Sequence, residues 1–77
     1  MGEGLSFSEA LVHLKNGIKM SRVGWNGKGM HIEMQTPTEK SKMTLPYLFI
    51  KTPDGDLVPW VISQTDVLSS DWMTATD

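Results

Sequence analysis

Tyr47-Leu48-Phe49-Ile50-Lys51-Thr52-Pro53-Asp54-Gly55-Asp56-Leu57-Val58-Pro59-Trp60-Val61 reads as two strands joined by a tight turn, and this reading decides the fold class. Tyr47 to Lys51 is a dense run of β-formers. Thr52-Pro53-Asp54-Gly55 places Pro, Asp and Gly in the order a turn requires. Proline sets φ, aspartate bonds back to its own backbone, and glycine accepts a positive φ. Residues 57–61 are then the return strand. Pro59 has no N–H to give to a ladder, so this strand lies at a sheet edge or ends at that point.

Toward the N-terminus, residues 35–46 are polar, broken by Pro37 and Pro46, and without period, which predicts a mobile surface loop. Met30-His31-Ile32-Glu33-Met34 alternates apolar and polar, the pattern of a half-buried strand. Met30, Ile32 and Met34 are expected to face the core, with His31 and Glu33 on the other face. Their spacing would suit a metal, but no third ligand lies near them, and none is expected. Lys19 to Val23 reads as a short strand. Upstream, Ser6-Phe7-Ser8-Glu9 has the form of a capping box, in which the hydroxyl and the carboxylate each satisfy a free N–H. Phe7, Ala10, Leu11 and Leu14 then fall at i, i+3, i+4 and i+7, one stripe of a helix over residues 7–16 that Gly17 stops. His13 lies beside that stripe and is expected to face solvent. Residues 1–5 read as a flexible lead-in.

Toward the C-terminus, Ser63-Gln64-Thr65-Asp66 opens a helical turn with Ser63 or Thr65 as its cap. Val67 and Leu68 are expected to face inward. Asp71-Trp72-Met73 reads as a short strand, with Trp72 a core anchor, and residues 74–77 as a frayed polar tail. The class is α+β: a small antiparallel β-sheet packed on an N-terminal α-helix, with a short C-terminal helix. Residues 1–77 form a single domain with no internal repeat.

A domain of 77 residues buries a modest share of its surface and commonly needs a staple or a partner. The chain has no cysteine, so disulfides and thiolate zinc sites are excluded, and oligomerisation is the default expectation. No apolar run is long enough to span a membrane, and no charged-then-apolar leader opens the sequence, which predicts a soluble cytoplasmic protein. The net charge of −2 argues against a general binder of long nucleic acid. Four basic residues (Lys15, Lys19, Arg22, Lys28) nevertheless occur between positions 15 and 28 without an acid, whereas five aspartates and no Lys or Arg follow from Asp54 onward. This is either a solvated surface of no special role or a basic patch suited to a small anion.

The chemistry concentrates in Arg22-Val23-Gly24-Trp25-Asn26-Gly27-Lys28-Gly29. One reading is a hairpin turn at Asn26-Gly27 beside a half-buried tryptophan. The other is a ligand loop, with an indole face for a base, cations for phosphate, and glycines that let backbone approach closely. The glycines match neither the dinucleotide fingerprint nor the P-loop. Two histidines, no cysteine and scattered serines give no nucleophile–base–orienter set, and the chain does not read as an enzyme. Asp66 and Asp71, five apart, would suit a carboxylate pair, but helix caps and turns explain them as well. Trp25 and Trp60 are flanked by turn-forming residues, where rings line pockets or interfaces.

The pattern Phe7-x-x-Ala10-Leu11-x-x-Leu14-Lys15-x-Gly17-x-Lys19, then Arg22-x-Gly24-Trp25-Asn26-Gly27-Lys28-Gly29-Met30, then Asp54-Gly55-x-x-x-Pro59-Trp60-x-x-Ser63-Gln64-x-Asp66-x-Leu68-x-x-Asp71-Trp72, resembles the Thoeris anti-defence protein two family of phages and prophages. The match covers both ends of the chain, and the middle segment looks shorter than in many relatives. The resemblance implies a sponge that binds and sequesters a cyclic ADP-ribose-type immune signal without cleaving it, in the cytoplasm of the infected bacterial host. Some relatives bind cyclic oligonucleotide signals. It also implies a small antiparallel sheet on the N-terminal helix and a homotetramer with pockets between protomers.

On that resemblance, Trp25 matches the family's pocket tryptophan and would stack on adenine. Arg22, Lys28 and the Gly27 backbone are candidates for the pyrophosphate. Asn26, Gln64 and Asp66 are candidates for ribose hydroxyls. Trp60 would close the pocket from a neighbouring chain. No cofactor or metal is expected. The competing readings are a protein–protein module whose tryptophans serve assembly, and a single-strand nucleic-acid binder, which the acidic balance disfavours.

Overall fold

The structure is a computed structural model that describes residues 4–25 and 29–75. Helix α1 spans Phe7–Lys15 and has both halves of the capping box. The Ser6 N–H donates to Glu9 Oε1 at 2.9 Å, and the Glu9 N–H donates to Ser6 Oγ at 3.2 Å. The Ser6 N–H holds the Glu9 carboxyl below the ordinary carboxylate value. At the other end Gly17 takes φ +83°, the Gly17 N–H reaches the Leu14 carbonyl and the Ile18 N–H reaches that of His13. Those two bonds are the Schellman stop that a glycine after the cap makes possible. The apolar stripe faces in as its spacing requires: Ala10 and Leu14 are fully buried, and Phe7 and Leu11 pack beside them. His13 is half-buried rather than open to solvent.

The strands are β1 (Met20–Arg22), β2 (His31–Gln35), β3 (Tyr47–Lys51), β4 (Leu57–Pro59) and β5 (Trp72–Thr74), with the single helical turn α2 (Gln64–Val67) between the last two. They form one antiparallel sheet in the order β4-β3-β2-β1-β5. Partners in register share a face. The row Val58, Ile50, Ile32, Met20, Thr74 therefore runs across the sheet on the side that α1 covers, with Arg22 and Trp72 paired one step along. Ala10, Leu14, Met20, Ile32 and Trp72 make the fully buried core.

The β3–β4 hairpin forms as its turn residues dictate: Gly55 takes φ +90°, and the Thr52 N–H donates to the Asp56 carbonyl at 2.8 Å. Strand β4 is an edge strand that ends at Pro59. Because β4 and β5 lie at opposite edges, residues 60–71 have to carry the chain from one edge to the other.

Several expectations are corrected. Leu5 is not part of a loose lead-in: its N–H and carbonyl both bond to Trp72, at 2.9 and 3.1 Å, and cover part of the outer side of β5. Thr74 belongs to β5, and the Ala75 N–H donates to the Lys19 carbonyl, so the tail is tied at least to residue 75. Val67 and Leu68 do not face inward; they are 38% and 80% exposed. The inner side of that turn is occupied by Asp66, whose polar partners draw it inward and turn its apolar neighbours out. Met30 lies just before β2 rather than in it. His31 does face away from Ile32, but it is buried, with Nδ1 3.2 Å from the Gly29 carbonyl and Nε2 3.5 Å from Glu33 Oε1.

Packing of this kind separates two leucines. Leu14→Ala is expected to lower the free energy of unfolding by about 2–5 kcal/mol. Leu68→Ala is expected to change it by about 0.5 kcal/mol or less. Urea unfolding followed by circular dichroism measures both, and comparable losses would place Leu68 in the core.

Candidate functional site

The region built from the candidate residues lies where β1 ends, α2 turns and β5 begins. A four-residue helix has little stability of its own. Ser63 caps α2, accepting from the Asp66 N–H at 3.1 Å, and its hydroxyl donates to Asp66 Oδ2 at 3.0 Å. Asp66 Oδ1 accepts from Arg22 Nη1 at 2.7 Å and from the indole Nε1–H of Trp25 at 3.2 Å. The Asp66 carbonyl accepts from the indole Nε1–H of Trp72 at 2.9 Å. One residue thus receives the ring N–H groups of two tryptophans.

Arg22 is the single arginine of the chain. Its Nε donates to Asp71 Oδ1 at 2.7 Å and its Nη2 to Asp71 Oδ2 at 3.3 Å, while Nη1 serves Asp66. The planar fork of a guanidinium fits this pair of partners, which a lysine does not. The Arg22 and Asp66 side chains are 15% and 16% exposed, and that of Asp71 33%. Asp71 Oδ2 also accepts from the Gly24 N–H at 3.0 Å. A Cβ at position 24 would stand 3.2 Å from both Arg22 Nη2 and Asp71 Oδ2, so glycine is what lets the carboxylate reach that backbone.

The electrostatics follow from these bonds. The guanidinium of Arg22, then the Gly24 N–H, hold the Asp71 carboxyl below the ordinary carboxylate value against some burial. Burial pushes the Asp66 carboxyl up, but donors on Arg22, Trp25 and Ser63 outweigh it and leave that carboxyl lowered as well. Asp71 first and Asp66 second raise the guanidinium of Arg22. One cation between two carboxylates leaves the trio with net charge −1.

Four rings adjoin this network. Trp25 meets Trp72 edge-on, with centroids 5.3 Å apart at 77°, and meets Trp60 at 6.4 Å and 73°. Phe7 lies 5.3 Å from Trp72 and 6.2 Å from Trp60. Trp72 is fully buried, as its reading as a core anchor requires, while Trp25 and Trp60 are half-buried.

The structure therefore brings together Arg22, Trp25, Trp60 and Asp66 from stretches far apart in sequence. Trp60 packs within its own chain's ring cluster. Gln64 stands exposed on the first turn of α2. Asn26, Gly27 and Lys28, and the Asn26-Gly27 turn, lie outside the described residues. Of the basic patch, Arg22 is taken up by two carboxylates and Lys15 is exposed at the end of α1. Asp71, which the sequence offers only as a possible carboxylate pair with Asp66, and Ser63 and Phe7 are not among the ligand-site residues read from the sequence. The signal for Asp71 was the lone arginine, a residue type chosen where a carboxylate is gripped through two nitrogens. Among the described residues no group of three or more His, Cys, Asp or Glu could hold a metal ion, and no helix is long and apolar enough to cross a membrane.

A sequence model of the Thoeris anti-defense 2-like domain matches residues 5–75. The protein named Thoeris anti-defense 2 from Bacillus phage SP01 is 38% identical over 81 aligned positions, which cover 88% of this chain and 91% of that protein.

Both network carboxyls lie below their ordinary value in the folded chain. Their stabilisation is therefore complete above the unfolded value of about 3.9 and is lost as pH falls through the folded values. The melting temperature is expected to be level from about pH 7 to 5 and to fall below about pH 4. Asp71→Asn should lower the neutral plateau and flatten the fall in part, since Glu9 adds to it. Thermal unfolding across that range checks this, and an equally steep acid fall in the variant would remove Asp71 as a source.

Proposed function

The chain belongs to the Thoeris anti-defense 2-like family, and from that premise we propose that it is a phage sponge for a nucleotide immune signal. Membership in the family supports a role in phage anti-defence. The finer reading is that the chain binds a cyclic ADP-ribose-type signal, glycocyclic ADP-ribose, holds it without cleaving it, and so starves a Thoeris defence in the cytoplasm of the infected host. The observation that carries this reading is Trp25: a half-buried tryptophan just after β1 whose indole N–H is bonded to Asp66, so that a ligand would meet the ring by its face. A base can stack on such a face with no chemistry required of the protein. The pyrophosphate is left to Lys28 and the Gly27 backbone, and ribose hydroxyls to Asn26 and Gln64.

We infer further that the functional unit is a homotetramer with pockets between protomers. The surface supports assembly: Leu57, Val58, Val61 and Ile62 are all exposed on β4 and the residues just after it. The same observation favours the second reading, a protein–protein module in which the rings serve assembly alone.

Calorimetric titration with cyclic ADP-ribose isomers and cyclic oligonucleotides separates these readings. The sponge binds one ligand class tightly and stoichiometrically and releases it intact on heating. Trp25→Ala is expected to weaken binding by about 1–3 kcal/mol, the scale of base–aromatic stacking, with oligomer size unchanged by light scattering. Selection of a cyclic oligonucleotide would keep the sponge and change its signal. Recovery of a cleaved product would make the protein an enzyme. No binding across the panel, with an oligomer broken by Trp25→Ala, would put the protein–protein module first.

A further inference from the structure

We propose that Asp66 sets the ring orientation of Trp25 and that Arg22 and Asp71 brace it, so that these three are positioning residues and not ligand contacts. The proposal deepens the reading of Trp25 as a stacking surface and rests on it.

Trp25 lies outside every strand, just after the turn in which its N–H donates to the Arg22 carbonyl at 3.1 Å. A ring on such a segment has two side-chain torsions to settle. The edge-on contact with Trp72 sets its plane, and the Nε1–H bond to Asp66 Oδ1 sets which way the indole points within that plane. Asp66 can do this because it is itself held from several sides. Its Oδ2 takes the Ser63 hydroxyl, its Oδ1 takes Arg22 Nη1, and its carbonyl takes the Trp72 indole. Arg22 is fixed in turn by the two-point grip of Asp71, which is anchored on the Gly24 N–H.

The same bonds argue against ligand contact. Trp25 has no ring N–H left to donate, and Oδ1 of Asp66 already has two donors. Arg22 has Nε, Nη1 and Nη2 each directed at a carboxylate, and the trio carries net charge −1. A pyrophosphate placed against it would meet like charge. The ligand's anionic part therefore lies away from the clamp, and its base takes the ring face.

Nitrogen-15 spectra of the full chain, with indole signals assigned through Trp25→Phe, test this without ligand. Asp66→Asn changes the side chain that holds Trp25 but leaves the carbonyl that holds Trp72. The expected result is an upfield shift and faster exchange of the Trp25 indole N–H, with the Trp72 signal unmoved. If Trp25 does not move, or if both signals move together because α2 has come apart, the proposal fails. Arg22→Lys is a second, milder variant should Asp66→Asn not fold, with the same pattern expected.

Titration with glycocyclic ADP-ribose then separates positioning from contact. Affinity is expected to fall about tenfold in Arg22→Gln, by analogy with metal sites, where losing the hydrogen bond behind a ligating group costs about 10–100-fold. Arg22→Lys, which keeps the charge but not the planar two-point grip, should lose about as much. Affinity kept in the lysine variant but lost in the glutamine one would mean that Arg22 serves a phosphate as a cation, and would overturn the assignment. Should glycocyclic ADP-ribose not bind the unaltered chain, the functional reading fails, while the ligand-free indole signals still decide whether Asp66 orients Trp25.

Discussion

Trp72 is the side chain on which the rest of the structure depends. Among the described residues it is the largest that is fully buried. Truncating a ring of this kind costs about 3–5 kcal/mol, a large share of what a domain this small can have. Its attachments reach further than its volume. Its backbone pairs with Leu5 in both directions and stands opposite Arg22 in β1. Its ring packs on Phe7, Trp25 and Trp60, and its N–H holds the carbonyl of Asp66. Leu5, the first turn of α1, the end of β1 and the turn of α2 are all fastened to this one residue, by its backbone or its ring. A chain without disulfides has few other ways of joining so many short elements.

That arrangement creates a need that the Arg22 clamp meets. With β5 placed beside β1, the side chain opposite Trp72 on the same face of the sheet is Arg22, close to an aromatic cluster where an unpaired charge would be costly. Two carboxylates, one from α2 and one immediately before β5, engage its guanidinium on three nitrogens. Both carboxyls are held ionised below their ordinary range, so the group remains charged and paired through neutral pH. Such a cluster adds little net stability over apolar side chains of the same shape. What it adds is a single geometry for the turn that carries Trp25.

The elements of this fold were legible because each is written within a few neighbouring residues. The capping box and the glycine stop of α1 lie within twelve positions, and the Pro-Asp-Gly turn of the β3–β4 hairpin within four. Pro59 announced an edge strand because its missing N–H is a property of one residue. The clamp was not legible, since its partners are 44 and 49 positions apart and meet only once β5 has crossed to β1. Arg22 and Asp66 were each expected to meet a ligand, on chemistry that is correct for a lone cation and a lone carboxylate. In the folded chain each engages the other. Val67 and Leu68 show the reverse fault: apolar residues on a short turn were assigned inward, but a single turn has one inner position, and Asp66 holds it. His31 was placed on the proper face, but strand alternation says nothing about whether that second face is covered.

For a protein proposed to bind without turnover, a clamp of this kind has a thermodynamic use. Holding a ligand is opposed by the freedom that ligand and site lose on association, and each mobile side chain fixed at that moment costs about 0.5–1.5 kcal/mol. A tryptophan whose plane and direction are already settled by Trp72 and Asp66 has little of that freedom left to lose. The restriction is met during folding, where it is shared with the burial of Trp72 and the pairing of Arg22. On the proposed reading, the negative charge left on the clamp would add selectivity to affinity, because an anionic ligand would then be favoured in one orientation, base toward the ring and phosphates away. Arg22, Asp66 and Asp71 would then act by deciding where the ligand does not go, and the ring would supply the attraction.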